Sequence, residues 1–202
     1  MRSNYEMRAA ARTQLGSGIF QKNWLMAVVV VLLGGAIISA SAVVAVGPLL
    51  LGGPISAGML AIFLKLKRTG GEINVGDMFS EGFNEHFTQY FLTYRLTSLY
   101  TFLWGLLLIV PGIVKSYSYA MAQYVAMHNK DLSASDCIRY SQNIMDGHKW
   151  DLFLLDLSFI GWYILGSLCL GVGTLWVTAY LQTARANFFD DLYADFMQAR
   201  TV

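Results

Sequence analysis

Long uncharged apolar segments are the sequence feature that most limits how this chain can fold. A transmembrane helix needs about 20 predominantly apolar residues, and Trp24–Val46 supplies such a run without a charged side chain. Further apolar segments follow, separated by short turns or polar stretches: Leu49–Leu64, Phe91–Val110, Ile113–His128, Leu152–Leu170 and Thr174–Phe189. The pattern predicts an all-α, polytopic membrane protein with about six transmembrane helices.

The composition agrees with this prediction and excludes one class of partner. Charged residues make up 13% of the 202 residues, against roughly 25% in an average soluble domain. The net charge of +1 provides no basic surface for a nucleic-acid backbone, so no nucleic acid is expected as a partner. The length suits a single integral membrane domain, residues 1–202. The first apolar run is longer than the apolar region of a signal peptide, so we expect it to be retained.

The distribution of lysine and arginine predicts the orientation in the membrane. With both termini cytoplasmic, thirteen of the fourteen basic residues fall on the inner side, and Lys115 is the exception. This favours a multi-pass protein of a bacterial plasma membrane with N- and C-termini in the cytoplasm. The segment Ile113–His128 is short and polar in places, so it either spans fully or enters partway. If it does not span, the C-terminal half is inverted.

Short amphipathic segments precede the paired apolar segments. One such segment carries apolar residues at helical spacing from Val75 to Phe87, and a second does so from Cys137 to Met145. Both are predicted to lie in the membrane interface, each after a capping-box pattern, and Ser3 with Glu6 supplies a third such pattern at the N-terminus. The chain is thus interpreted as three pseudo-repeats of an interfacial helix plus a helical hairpin. The approximate unit bounds are 1–68, 69–129 and 130–202.

The sequence Gly147-His148-Lys149-Trp150 stands where the third interfacial helix should enter a span. Tryptophan prefers the level of the lipid headgroups, and lysine can extend to their phosphates. The residues are therefore candidates for contact with a lipid headgroup or a partner. The interpretation favoured by their types is an interfacial anchor that sets the depth of the helix.

Arg95 and Asp156 are charged residues at similar depths inside predicted spans. A charge within a membrane is costly unless it is paired. One hypothesis is that the two form an ion pair, or share a polar network facing the interior of the bundle. The alternative is that each extends separately to the nearer interface.

Lys115 follows Pro111-Gly112-Ile113 and begins a stretch that contains Tyr117. A cation above a tyrosine-lined face can receive an anionic lipid or peptide, although an interfacial anchor is again the favoured interpretation. Searching the sequence for catalytic motifs gives none: there is no zinc-binding histidine motif, nucleophile elbow or phosphate-binding glycine loop. We therefore expect no enzyme activity, metal or cofactor.

Residues Trp104 to Phe188 resemble a family of uncharacterised bacterial integral membrane proteins that is common in Gram-positive bacteria and catalogued as a domain of unknown function. The resemblance rests on four strings: Ile109–Tyr119, Asp146–Trp150, Leu157–Trp162 and Leu170–Val177. The family is distantly similar to the membrane domain that accompanies some glycerophosphodiester phosphodiesterases, whose catalytic domain is separate. The resemblance implies a six-helix membrane protein and transfers no catalytic residue.

These features predict a membrane protein without catalysis of its own. It would bind lipids or amphipathic peptides, or act as an accessory subunit of a membrane system. Its partners would be membrane lipids and either a membrane protein or further copies of itself. The alternative is a small transporter or channel with a polar path near Arg95 and Asp156.

Overall fold

The computed structural model describes residues 3–16, 18, 21–41, 47–84, 86–107, 109–168 and 171–200. These residues form helices and turns, with no strand among them, which confirms the all-α prediction. The helices are α1 Asn4–Leu15, α2 Lys22–Ser41, α3 Gly47–Thr69, α4 Gly76–Gly82, α5 Phe87–Leu107, α6 Ile109–Ser118, α7 Ala122–His128, α8 Ala134–Ile144, α9 Lys149–Leu157, α10 Ile160–Leu168 and α11 Gly173–Arg200. The end of the first predicted span, residues 42–46, lies outside the described residues.

Two of the three predicted capping boxes start helices as expected. The Ser3 hydroxyl accepts a hydrogen bond from the backbone N–H of Glu6, whose carboxylate accepts one from the N–H of Ser3. The Ser133 hydroxyl caps α8 by accepting from the N–H of Asp136 at 3.1 Å, and it donates to the Asp136 carboxylate at 2.7 Å, so the reciprocal backbone bond of a full capping box is replaced by a side-chain bond. Asn74 does not cap α4 in this manner; its side chain accepts from the N–H of Gly76 instead, in a local turn before the helix.

The predicted fourth and fifth spans are each divided. Ile113–His128 is split between α6 and α7 by a turn at 119–121, and Leu152–Leu170 is split between α9 and α10 at Ser158-Phe159. Pro111 does not end the preceding helix but lies in the first turn of α6, where its missing N–H removes no helical hydrogen bond. By contrast, α11 is continuous over 28 residues, about 42 Å at 1.5 Å per residue.

The apolar faces of the short helices α1 and α8 are covered by protein. Cys137, Ile138 and Ile144 of α8 are buried against the protein, where the helix packs on α5 and α7. On α1, Met7 and Leu15 are likewise buried, and that helix packs on α11. A face already covered by protein is not available to lipid. The amphipathic pattern indicated the buried face correctly, but not what covers it.

Close contacts between glycines hold the helical hairpins together. A Cβ on Gly112 would lie 2.8 Å from the Cα of Gly105, and one on Gly173 would lie 2.8 Å from the Cα of Gly166. These contacts bring α5 against α6 and α10 against α11. The short helix α4 packs on α3 similarly, because a Cβ on Gly58 would lie 2.0 Å from the carbonyl oxygen of Met78. At these positions the helices pack too closely for a larger side chain.

Candidate functional site

A large chamber lies between helices α3, α5, α6, α7, α9 and α11. Its volume is about 750 Å³, within the range of about 300–1,000 Å³ that is usual for ligand pockets. Hydroxyl, amide and charged groups line it together with Met59, Leu60, Phe102, Leu152 and Phe189. The polar lining residues are Ser56, Tyr94, Thr97, Ser98, Thr101, Ser116, Tyr117, Tyr119, Gln123, Asp156, Gln182 and Arg185.

A charged network occupies one wall of this chamber. Arg185 on α11 donates two hydrogen bonds to Asp156 on α9, from Nε to Oδ1 at 2.9 Å and from Nη2 to Oδ2 at 2.7 Å. The Tyr117 hydroxyl donates to Oδ2 of the same carboxylate at 3.0 Å. The side chain of Asp156 is 16% exposed and that of Arg185 is 35% exposed, so the pair is partly shielded from solvent. A bidentate arginine–carboxylate pair of this kind fixes the relative orientation of the two side chains as well as pairing their charges.

The structure pairs the Asp156 carboxylate with Arg185, and no ion pair between Asp156 and Arg95 is present among the described residues. Arg95 lies on α5 but is not among the residues that line the chamber, whereas Tyr94, Ser98 and Thr101 of the same helix are. Residues three and four apart share a helix face, and Arg95 is offset from that face by roughly a quarter turn. The sequence did contain a signal for Arg185, since it falls inside the predicted span Thr174–Phe189.

Two further polar residues of the chamber, Ser56 and Gln123, form hydrogen bonds across helices. Ser56 on α3 donates to Oε1 of Gln123 on α7 at 2.7 Å, and Gln123 in turn lies 3.5 Å from the carbonyl oxygen of Tyr90. The hydroxyl oxygen of Thr97 is buried without a hydrogen-bond partner among the described residues. A buried hydroxyl without a partner is costly, and here it belongs to a residue that lines the chamber.

A second, smaller cavity of about 300 Å³ brings together two of the predicted contact residues, Lys115 and Lys149. The Lys115 ammonium lies 5.1 Å from the ring centre of Trp104, and Lys149 lies 3.5 Å from an Asp146 carboxylate oxygen. The prediction had placed Lys115 at an outer turn and Lys149 on the inner side. In the structure the two residues line the same cavity.

The remaining predicted contact residues lie beside these two cavities. Trp150 is 65% exposed and stacks on Phe153, with ring centres 4.9 Å apart. Tyr117 meets the same Phe153 ring edge-on. His148 contacts Asp151 at 3.1 Å, one turn along the chain. Phe153 therefore connects Tyr117 of the chamber wall to the exposed Trp150.

The acidic residues after the last predicted span form a third charged cluster, which links α3, α7 and α11. Lys67 contacts Asp190 at 2.8 Å and Asp191 at 2.9 Å, and Tyr124 donates to Asp190 at 2.7 Å. Burial alone would raise the pKa of Asp190, but hydrogen bonds from Lys67, Tyr124 and Arg68 lower that pKa to about 2. These residues follow the last predicted span and are part of the packed structure.

Large apolar side chains are exposed over α5, α6 and α10. Leu106, Val110, Ile164 and Leu168 are 60–76% exposed, with many similar neighbours. Soluble monomers rarely expose contiguous apolar patches of more than a few hundred Å². An exposed apolar surface of this kind indicates contact with a membrane or another protein.

Within the described residues, the stretches Lys22–Ala40 and Lys149–Leu168 are long and apolar enough to cross a membrane. Only 28% and 22% of these windows are buried inside the protein, whereas a core helix of a soluble protein would be mostly buried. The first stretch lies near the N-terminus, where a signal sequence has a similar composition. These two helices correspond to the first and fifth predicted spans.

Residues 106–195 match the sequence model of a family described as "Protein of unknown function (DUF975)". The matched segment extends from the end of α5 into α11 and includes Lys115, Lys149, Asp156 and Arg185. The comparisons with curated proteins and with solved structures found no match.

Proposed function

We propose that this chain is an integral membrane protein without catalysis of its own that binds an amphiphile, a lipid or an amphipathic peptide, in the chamber between α3, α5 and α11. The supporting observation is the lining of this chamber, in which the Arg185–Asp156 pair and many hydroxyl groups face the same 750 Å³ as several apolar side chains. Such a mixed lining suits a ligand with a polar and an apolar part.

A multi-pass location in a bacterial plasma membrane is part of this proposal. Its support comes from the exposed apolar surface and from the two helices of membrane-spanning length. We propose about six spans in all; within the described residues, α2 and α9 with α10 are those long and apolar enough to span on their own. In each proposed unit, 1–68, 69–129 and 130–202, a short helix precedes a hairpin, and we propose cytoplasmic termini from the lysine and arginine distribution. A distant relationship to the membrane domain of glycerophosphodiester phosphodiesterases belongs to the same proposal.

Native mass spectrometry of gently solubilised protein tests amphiphile binding in the chamber. We expect a retained lipid or peptide on the wild-type protein and its loss from Thr101→Trp, because the added indole fills part of the chamber that Thr101 lines. Ser167→Trp, on the exposed side of α10, is the matched control and should retain the ligand. Retention by Thr101→Trp equal to that of the wild type would refute the proposal.

A second candidate is a small transporter or channel, which the polar lining of the chamber favours. Cysteines placed at Ser98 and Gln182, in a background with both native cysteines replaced by serine, would report solvent access to the chamber. Reaction of both positions with a polar thiol reagent from either side of the membrane would support a transport path. Reaction from one side only would support a binding chamber.

The third candidate function is that this chain is an accessory subunit of a larger membrane system. The exposed apolar faces of α5, α6 and α10 are large enough to contact another membrane protein or a second copy of this chain as well as lipid. Lys115, Tyr117, His148, Lys149 and Trp150 are the proposed lipid or partner contacts. A stoichiometric protein that co-purifies with the chain would support this role.

A further inference from the structure

We propose that the smaller cavity, which contains Lys115 and Lys149, binds the phosphodiester group of an anionic phospholipid. The chamber is the site of the proposed function, and the two cavities have no lining residue in common. The inference therefore rests on the proposed membrane location but not on ligand binding in the chamber.

The cavity brings together donors from three separate helices. Lys115 and Ser118 come from α6, Gln142 and Asn143 from α8, and Lys149 is the first residue of α9, with Asp146 just before it. The hydroxyl of Ser141, the neighbour of Gln142, donates to the carbonyl oxygen of Ser118 at 2.9 Å and joins α8 to α6. That hydrogen bond is buried, so the wall between the two lysines is part of the packed structure.

The charge of the cavity suits a single negative charge. Two ammonium groups and the Asp146 carboxylate give a net charge of +1, which a phosphodiester monoanion would neutralise. The Asp146 side chain is 83% exposed and points largely to solvent, whereas that of Lys149 is only 33% exposed. The amide groups of Gln142 and Asn143 add hydrogen-bond donors of the kind that bind phosphate oxygens.

Aromatic and apolar side chains next to the cavity provide a surface for acyl chains. Trp104, on which Lys115 stacks, is 38% exposed, and Val114 beside Lys115 is 47% exposed. On the other side, Trp150 adjoins Lys149 and is 65% exposed. Tryptophan near lysine is typical of the headgroup level of a bilayer. A cavity of about 300 Å³ holds a headgroup, while the chains would lie against these outer faces.

The test is native mass spectrometry from mixed micelles that contain equal amounts of phosphatidylglycerol and phosphatidylcholine. We expect the wild-type protein to retain phosphatidylglycerol in preference. Each of Lys115→Gln and Lys149→Gln should weaken this retention about fivefold, and the double variant about twentyfold, because each lysine near an anionic surface contributes a similar amount. Lys130→Gln, at an exposed lysine that does not line the cavity, is the control and should retain phosphatidylglycerol as the wild type does.

Each arm of the experiment separates this inference from its alternatives. Equal retention by the double variant and by Lys130→Gln would overturn it. Displacement of phosphatidylglycerol by millimolar inorganic phosphate would assign the cavity to free phosphate and overturn the lipid assignment. Thr101→Trp, which fills the chamber, should still retain phosphatidylglycerol, so failure of the chamber proposal and failure of this inference give different results.

Discussion

The coupling between Asp156 and Arg185 provides the sharpest test of the structure. Replacing Arg185 with methionine keeps most of the side-chain volume and leaves the Asp156 carboxylate with only the Tyr117 hydroxyl. Replacing Asp156 with asparagine removes the charge from the other partner. The two single variants and the double variant form a double-mutant cycle, which isolates the interaction energy of the pair.

The expected magnitude follows from the partial burial of the pair. Removing one partner of a buried ion pair costs about 3–5 kcal/mol, and an exposed pair contributes about 0–1 kcal/mol. With side chains 16% and 35% exposed, the pair lies between these limits, so we expect a coupling energy of about 2 kcal/mol. That corresponds to about a thirtyfold change in the unfolding equilibrium.

Reversible unfolding in detergent micelles, followed by tryptophan fluorescence, measures the four free energies of unfolding. The matched control is the cycle of Asp156→Asn with Arg95→Met, which should show a coupling below about 0.5 kcal/mol because Arg95 does not contact the carboxylate. A larger coupling to Arg95 than to Arg185 would refute the assigned pair and restore the pairing expected from sequence.

Three further predictions concern parts of the fold outside the chamber. Lys67 and its neighbours lower the pKa of Asp190 to about 2. The ionised carboxylate therefore adds about 2 kcal/mol to the free energy of unfolding above pH 4, and this stabilisation is lost as the pH falls from about 4 to 2. Asp190→Asn should reduce that loss in unfolding measurements over a pH series, and an unchanged pH profile would count against the cluster. Gly58→Ala should destabilise the protein by about 1–3 kcal/mol, because the new methyl group would lie 2.0 Å from the carbonyl oxygen of Met78. Amide hydrogen exchange in α4 should increase, and unchanged exchange there would contradict this contact. Ser133→Ala should lower the free energy of unfolding by about 1 kcal/mol, because the cap on α8 is lost. Ser133→Thr keeps a hydroxyl and should retain most of this stabilisation. Equal losses for the two variants would show that the hydroxyl is not the cause.

Local signals in the sequence predicted where several helices start and which faces they bury. The boxes at Ser3 and Ser133 involve residues three apart, so their hydrogen bonds depend only on local geometry. The spacing of Cys137, Ile138 and Ile144 likewise indicated the buried face of α8. Periodicity shows that a face is apolar and not whether lipid or protein covers it. For that reason the pattern identified the buried face of α8, whereas the interfacial location of the helix stays a prediction.

The partners of the charged residues were decided by tertiary structure alone. Asp156 and Arg185 are 29 residues apart, and Lys67 and Asp190 lie in helices at opposite ends of the chain. Which charges meet depends on how helices rotate about their own axes and cross one another, and Arg95 lies roughly a quarter turn from Tyr94, Ser98 and Thr101, which line the chamber.

The sequence by itself determined the helical class and the order of a short helix before each hairpin, because both follow from composition and from contacts a few residues apart. Only the tertiary structure decided that Lys115 and Lys149 line one cavity, that Arg185 binds Asp156, and that the acidic residues after Phe189 pack against α3. The reason is physical: helix formation depends on near neighbours, whereas cavities and ion pairs arise between surfaces that are distant in the sequence.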